Sequence, residues 1–264
     1  MNLLDKIVLH KRKEVEYLKK ERTVNELTKE SLFTRQPLSL KQNLLDENKT
    51  GIIAEFKRRS PSKGIINSRS SVKEVTAAYS KYGASGISVL TDEEFFGGSL
   101  EDLKEATFNN MPLLRKDFMI DEYQVLEAKA YGASVILLIA ACLSQAEVKR
   151  LASVAKNIGL EVLLEIHNYD ELEHICDEVD FVGVNNRNLK TFEVSIQTSL
   201  NLINNIPSSK LAIAESGISD IETILTLKQA GFKGFLIGEN FMKQYDPAIA
   251  FADFTRQLKA MYES

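Results

Sequence analysis

The chain has 264 residues, of which 44% are hydrophobic and 27% are charged, and its formal net charge is −4. This length suits one large domain or two small ones, and it is sufficient for a sizeable core. Because charges of both signs are interspersed, the composition argues against a dedicated nucleic-acid binder, and the longest apolar run, ASVILLIAACL at 133–143, is too short to span a bilayer.

Residues 1–50 precede the first predicted strand and form an N-terminal extension. Apolar residues recur there at helical spacing, at Leu3, Leu4, Ile7, Val15 and Leu18. We therefore predict an amphipathic helix that lies on the rest of the molecule, with its many Lys, Arg and Glu side chains in solvent. The first residues, MNLLDKIVLHKRKE, lack the uninterrupted apolar core of a signal peptide, so we expect a cytoplasmic protein.

Eight short apolar runs follow the extension, and each has the length and composition of a β-strand. The runs are GIIAEF (51–56), GISVLT (86–91), MPLLRK (111–116), SVILLIA (134–140), LEVLLEI (160–166), DFVGVN (180–185), KLAIAES (210–216) and KGFLIG (233–238). Their starts are separated by the length of a βα unit rather than of a hairpin.

Helical patterns fill several of the gaps between these runs, at 71–83, 121–132, 144–159 and 219–231. Ser144 with Glu147, and Ser219 with Glu222, fit capping boxes that begin two of these helices.

Apolar strands that alternate with helices predict a parallel sheet covered by helices, hence an α/β protein. Eight such units favour a closed (β/α)8 TIM barrel over an open doubly wound sheet. The sequence contains neither GxGxxG nor a Walker A motif, which weakens the open-sheet alternative further. We expect one domain over residues 1–264, with the helical extension at 1–50 and the barrel at 51–264.

The cysteines and histidines show no pattern that indicates a metal site or a disulfide. Cys142 and Cys176 lie inside apolar or helical patterns, and His10, His167 and His174 have no metal-ligand spacing with them. We therefore predict no metal, and we interpret these five side chains as ordinary packing or surface residues.

Charged side chains occur where a buried strand should end. In AEFKRRSPSKG, at 54–64, Ile53, Glu55 and Lys57 should point the same way because strand side chains alternate between faces. Polar groups also follow later strands, at Lys116, Asp117, Glu165, Asn185, Arg187, Glu215 and Ser216. The carboxyl ends of barrel strands form the active face. Since burying several charges is costly, we expect this set to be functional rather than structural.

Two glycine turns indicate a phosphate site. Gly217 stands between the seventh strand and a helix predicted to begin near Ser219, and Gly238 with Glu239 follows the eighth strand. Backbone N–H groups at helix starts bind phosphate, and barrel enzymes commonly hold one at these two loops. We expect the Glu239 side chain to point away, so that only its N–H binds.

Six segments, AEFKRRSPSKG, LLRKDF, LLEIHN, VGVNNRNL, IAESGI and FLIGENFM, occur in the order typical of one enzyme family. On these motifs the chain resembles indole-3-glycerol phosphate synthases, the TIM-barrel lyases of tryptophan biosynthesis. The resemblance covers nearly the whole chain. It implies a substrate, 1-(o-carboxyphenylamino)-1-deoxyribulose 5-phosphate, that undergoes ring closure, decarboxylation and dehydration.

The resemblance also implies roles for individual residues. Lys116 would protonate the ketone oxygen and Glu165 would serve as acid and base in the dehydration, although how these duties divide between them stays open. Glu55 and Asn185 would position the reacting groups, and Lys57 would meet the substrate's anionic groups. The substrate-binding residues would be Ser60, Gly217, Gly238 and Glu239 at the phosphate, Arg187, Glu215 and Ser216 in the polar lining, and Phe118 and Leu189 on the aryl ring.

This chemistry sets expectations for proton affinities and cofactors. Lys57 and Arg187 should lower the pKa of Lys116, and an apolar aryl pocket should raise the pKa of Glu165. The iminium formed on ring closure is the electron sink for decarboxylation, so we expect no cofactor and no metal. We expect SPSKG to close over the substrate.

Two other functions stay open at this point. One is a Schiff-base aldolase acting on a sugar phosphate, with Lys116 or Lys57 as nucleophile. The other is a non-catalytic barrel used for binding, although such a protein would be expected to have lost one of Lys116, Glu165 or Glu55. We expect a small-molecule substrate, no nucleic-acid or membrane partner, and a monomer, with a homodimer as the alternative.

Overall fold

The computed structural model describes residues 2–262. The chain begins with three helices, α1 (Leu3–Glu21), α2 (Val24–Leu27) and α3 (Leu40–Leu45). The predicted N-terminal helix is confirmed, and it buries Ile7 and Val15. We had expected all of the charged side chains of this helix to lie in solvent, and for Lys11 this expectation is wrong. Lys11 is fully buried and forms ion pairs with Asp92 and Asp117, which supply the charge that its burial requires.

All of the predicted strands are present, with boundaries that differ by one or two residues. They are β1 (Ile52–Phe56), β2 (Gly86–Leu90), β3 (Leu113–Lys116), β4 (Val135–Ile139), β5 (Glu161–Ile166), β6 (Phe181–Asn185), β7 (Leu211–Glu215) and β8 (Gly234–Ile237). Within residues 2–262 these eight strands pair in parallel, each with its chain neighbours, and β8 pairs with β1 to close the cylinder. The predicted barrel is confirmed.

Helices surround the strands. They are α4 (Val72–Lys81), α5 (Glu93–Phe96), α6 (Leu100–Ala106), α7 (Glu122–Ala130), α8 (Gln145–Asn157), α9 (Gln197–Leu202), α10 (Ile221–Ala230), α11 (Glu239–Met242) and α12 (Pro247–Tyr262). Short 3₁₀ turns cover Thr107–Asn109, Ala140–Cys142, Asp170–His174 and Ile203–Asn205.

One predicted capping box is present and the other is wrong. Ser144 accepts from the Glu147 backbone and the Glu147 side chain reaches back, as predicted. At α10 the N-cap is Asp220, whose carboxylate accepts from Thr223 N. Both Ser219 and Asp220 can cap a helix, and the sequence pattern selected the wrong one of two adjacent candidates.

The strands separate two apolar cores because their side chains alternate between faces. Outward-facing residues such as Ala54 and Phe56 pack against the helices, and inward-facing residues such as Ile53 fill the barrel. Leu40 and Leu44 of α3 join this inner core, so they cover the amino-terminal end of the barrel. The cavity described below is lined by residues at the carboxyl-terminal end.

We searched the helices of residues 2–262 for membrane spans. None combines the length and the apolar character that crossing a bilayer requires.

Candidate active site

The carboxyl-terminal end of the barrel contains a cavity of about 480 Å³. Every predicted site residue lies on its wall: Glu55, Lys57, Ser60, Lys116, Phe118, Glu165, Asn185, Arg187, Leu189, Glu215, Ser216, Gly217, Gly238 and Glu239. The structure therefore brings together residues from the ends of six strands, β1, β3, β5, β6, β7 and β8, and from the loops that follow them. Their individual roles stay predictions.

Strand β1 supplies the first charge pair of the site. Ile53 lies in the inner core, and Glu55 and Lys57 continue the same face into the cavity, as the alternation predicted. Lys57 Nζ lies 2.6 Å from Glu55 Oε1. Gly238 packs directly on this carboxylate, since a Cβ at position 238 would lie 2.6 Å from Glu55 Oε1. A glycine is therefore needed there for β8 to approach β1 closely.

Lys116, at the end of β3, lies at the centre of the polar groups. Its Nζ is 2.7 Å from Glu165 Oε2 on β5 and 3.3 Å from Glu215 Oε2 on β7. Asn185 on β6 donates to the other oxygen of Glu165 at 3.0 Å. Glu165 and Glu215 are almost fully buried, so these interactions act with little screening by water.

The proton affinities of the central pair run opposite to what we had expected. Burial disfavours the charged form of Lys116, but the carboxylates of Glu165, Glu215 and Glu55 outweigh it and raise the pKa of Lys116. Burial likewise favours neutral Glu165, but Lys116 and His167 outweigh it and hold the pKa of Glu165 well below its ordinary value. The expectation was wrong because the residues nearest to Lys116 are carboxylates, not the cations Lys57 and Arg187.

Glu215 is the carboxyl group whose pKa is raised. Burial raises the pKa of Glu215 to about 8, with the neighbouring Glu165 adding to the effect and Lys116 opposing it. Its Oε1 has no hydrogen-bond partner among the described residues. A Cβ at Gly183 would lie 2.2 Å from this oxygen, so the glycine provides the space that the carboxyl group occupies. Of the two carboxyl groups that contact Lys116, Glu215 therefore binds a proton more readily and Glu165 loses one more readily.

An apolar wall lies beside these charges. The rings of Phe118 and Phe96 pack with their centroids 6.0 Å apart, and both line the cavity together with Leu189. Leu3, Leu4 and Ile7 of α1 extend this wall. Phe96 was not predicted, although EEFF directly after the second strand was a usable signal. The contribution of α1 was not predicted either, because helical spacing does not show what a helix covers.

The predicted phosphate end combines glycine turns with charged side chains. Ser216 and Gly217 both adopt positive φ angles, 64° and 74°. For serine this conformation costs free energy, so the surrounding structure must enforce it. Asn186, which sequence reasoning missed, donates to the Ser216 carbonyl at 3.1 Å and accepts from Ser199 Oγ at 2.8 Å. It thereby ties the loop after β6 to the loop after β7.

The expectation that the Glu239 side chain points away is wrong. Its two carboxylate oxygens lie 3.7 Å from Lys63 Nζ and 3.7 Å from Arg187 Nη2, and all three residues line the cavity. These cations attract the carboxylate across the opening. An anionic substrate group entering here would compete with Glu239 for them.

The SPSKG segment forms the turn of a small hairpin, in which Arg59 and Ser60 pair antiparallel with Gly64 and Ile65. Arg58 forms a two-pronged ion pair with Asp102, and Arg59 donates to the backbone carbonyls of Glu93 and Glu94. The two arginines anchor the base of the hairpin, while Pro61, Ser62 and Lys63 at its tip line the cavity. Whether this tip closes over a substrate stays a prediction.

Comparison with known proteins decides the family. The family model described as indole-3-glycerol phosphate synthase matches residues 4–254. The chain belongs to the indole-3-glycerol phosphate synthase family. It is 44% identical over 259 residues to the indole-3-glycerol phosphate synthase of Bacteroides thetaiotaomicron, a match that covers 98% of this chain and 99% of that protein. It is 41% identical over 256 residues to the synthase of a Polaromonas species, covering 95% and 97%. The resemblance drawn from the motifs is confirmed.

A solved structure of lower similarity supports the fold alone. A mutant tryptophan synthase α-subunit from Pyrococcus furiosus superimposes with a TM-score of 0.61 at 16% identity, covering 80% of this chain and 98% of that one.

One further residue of this family member was misjudged from its sequence. His167 was interpreted as a packing or surface residue, but its ring lies against Glu165 at the edge of the site, with Nε2 3.2 Å from Glu165 Oε1. Its position two residues after Glu165 was the available signal, because side chains two apart at a strand end point the same way.

Proposed function

We propose that this chain converts 1-(o-carboxyphenylamino)-1-deoxyribulose 5-phosphate to indole-3-glycerol phosphate, carbon dioxide and water, the carboxy-lyase reaction of tryptophan biosynthesis. Family membership over nearly the whole chain supports this activity. The observation that carries the residue assignment is the 2.7 Å contact between Lys116 Nζ and Glu165 Oε2 on the cavity wall. It puts a protonated acid and an ionised base within reach of one small molecule.

Lys116 is the proton donor in the first step. The aryl carbon that bears the carboxylate attacks the ketone carbon, a carbon–carbon bond forms, and the ketone oxygen takes a proton from Lys116. The nitrogen lone pair becomes part of an iminium. The bond to the carboxylate then breaks, carbon dioxide leaves, and the electron pair returns to the iminium. This electron sink belongs to the substrate itself.

Glu165 is the base of the second step. The hydroxyl group leaves as water after it receives a proton, and the carbon next to nitrogen loses a proton to complete the indole. Glu165 is available to accept that proton because its lowered pKa keeps it ionised in the free protein, and Lys116 and Asn185 hold its two oxygens in place. Glu215 carries a proton near neutral pH and lies 3.3 Å from Lys116 Nζ, so it can return a proton to the amine.

The remaining predicted residues bind the substrate. Phe118, Phe96 and Leu189 provide an apolar surface for the aryl ring, and Lys57 provides a cation for its carboxylate. We assign the phosphate to Ser60 and to the N–H groups that follow β7 and β8, which line the same cavity.

The Schiff-base alternative is not favoured. A nucleophilic lysine needs a lowered pKa, whereas the surrounding acidic groups, Glu165 foremost, raise the pKa of Lys116. The direct test is to add the anilino-ribulose phosphate to the purified protein and to follow indole fluorescence together with carbon dioxide release. We expect equal amounts of both products and no adduct after borohydride treatment. Absence of indole, or a trapped covalent adduct, would contradict the proposal.

A further inference from the structure

His167 lies between two carboxylates at the edge of the site. Its Nε2 is 3.2 Å from Glu165 Oε1 and its Nδ1 is 3.1 Å from Glu171 Oε2, and its side chain is 9% exposed. Glu171 is itself fixed, because the His167 backbone N–H donates to it at 2.7 Å and the Asn168 amide donates at 2.9 Å. Glu171 therefore holds the ring at Nδ1, and Nε2 lies within ion-pair distance of Glu165.

Two carboxylates lie within 3.2 Å of the ring, one near each nitrogen, although only Nδ1 makes a hydrogen bond within the described part of the chain. A neutral imidazole has a single N–H and no charge to offset these carboxylates, whereas an imidazolium carries an N–H at both nitrogens and a positive charge that attracts both groups. A positively charged His167 ring also matters to Glu165. The other cation beside Glu165 is the Lys116 ammonium, which also contacts Glu215. His167 supplies the second positive charge that a buried carboxylate in this position needs.

We propose that His167 is a positioning residue that stays doubly protonated at neutral pH and keeps Glu165 ionised and correctly oriented, with Glu171 as its anchor. The proposal also gives Glu171 an indirect role. Glu171 does not line the cavity, but it holds the His167 ring that acts on Glu165. It rests on the proposed function for its kinetic consequences only, since the protonation state of the ring can be measured in the free protein.

The other ionisable groups around the ring agree with this assignment. Burial disfavours the cation, but Glu165 and Glu171 outweigh it and raise the pKa of His167 to about 9. The Cys142 thiol also faces these two carboxylates, and burial raises its pKa to about 12, so it is neutral. Lys116 and Glu215 lie on the far side of Glu165.

The protonation state is tested by NMR of the free protein labelled with ¹⁵N at histidine. Only three histidines occur, His10, His167 and His174, so the assignment is simple. We expect both His167 nitrogens to show imidazolium shifts at pH 7.5 and to titrate near pH 9, and we expect Glu171→Gln to lower this midpoint by about one unit or more. A neutral His167 tautomer at pH 7.5 would overturn the proposal whatever the protein catalyses.

Kinetics separate positioning from simple packing. His167→Gln should lower kcat by about tenfold through a misplaced Glu165 and should shift the acid limb of the kcat profile up by about one pH unit, because Glu165 loses a neighbouring cation. Glu171→Gln should shift the same limb in the same direction while leaving the ring in place. The control is His174→Gln, in the same 3₁₀ turn as Glu171, because His174 contacts the Leu143 carbonyl instead of the site. Unshifted profiles in both test variants would refute a role in holding Glu165.

Discussion

Lys116 and Glu165 are 49 positions apart in the chain, yet Lys116 Nζ donates to Glu165 Oε2 over 2.7 Å. Each group sets the proton affinity of the other: the carboxylate raises the pKa of Lys116, and the ammonium lowers the pKa of Glu165. The free protein therefore holds a charged acid beside a charged base. Substrate binding has to separate or exploit this pair.

Lys116→Ala should remove nearly all turnover and leave KM almost unchanged, because the lysine acts mainly in the transition state. We expect kcat to fall by about 10²–10⁴-fold, the usual contribution of a general acid. Lys116→Arg should be nearly as inactive, since a guanidinium keeps the charge but does not give up its proton. Lys156→Ala is the control, because Lys156 pairs with Asp180 at the surface. A Lys116→Ala variant with more than about a tenth of the original kcat would exclude the assigned role.

Glu165→Gln should separate decarboxylation from dehydration. The first step uses Lys116 as proton donor and the second uses Glu165 as base, so this variant should still release carbon dioxide but form little indole. The measurement is a single turnover with substrate labelled at the carboxyl carbon, in which label release and indole fluorescence are followed together. Lys116→Ala should block both signals. If Glu165→Gln stops label release as completely as Lys116→Ala does, Glu165 acts before decarboxylation.

Lys11→Met should destabilise the fold by about 3–5 kcal/mol, because it leaves the buried carboxylates of Asp92 and Asp117 without their shared cation. Lys13→Met, on the exposed side of the same helix, is the matched control and should change stability little. Urea denaturation followed by circular dichroism measures both. We expect a single cooperative transition in the original protein, since α1 is joined to the barrel by this buried cluster, and a separate early transition would argue against one domain.

The same cluster predicts how stability depends on acid. Burial favours neutral Asp117, but Lys11 and Arg115 outweigh it and hold its pKa well below the unfolded value of about 3.9. Its stabilising contribution is therefore complete above about pH 4 and is lost as the pH falls towards the folded pKa. Asp117→Asn should flatten this acid dependence of the melting temperature, and an acid limb as steep as that of the original protein would contradict the prediction.

A chelator should leave the rate unchanged. The prediction follows from the substrate's chemistry, since the iminium accepts the electrons released with carbon dioxide and Lys116 activates the ketone oxygen. Dialysis against EDTA, followed by the fluorescence assay with and without added Mg²⁺ or Zn²⁺, makes the measurement. Strong inhibition that a divalent ion reverses would require a different activation of the ketone.

The sequence by itself determined the barrel fold and showed which polar residues lie at the carboxyl-terminal ends of its strands. Strand and helix periodicity are local properties, so the alternation of apolar runs and amphipathic helices was sufficient to predict eight βα units. The rule that carboxyl ends of parallel strands share one face then grouped Glu55, Lys116, Glu165, Asn185 and Glu215 without coordinates. The motif strings were specific enough to indicate the family.

Only the tertiary structure decided what each charge faces. Helical spacing places Lys11 between Ile7 and Val15 on the buried face of α1, but only the folded structure shows that the carboxylates of Asp92 and Asp117 lie there to pair with it. The pKa directions of Lys116 and Glu165, and the position of His167 beside Glu165, likewise depend on distances between side chains from different strands. Coulomb energies and desolvation vary steeply with such distances, so they follow from the folded arrangement and not from the order of residues along the chain.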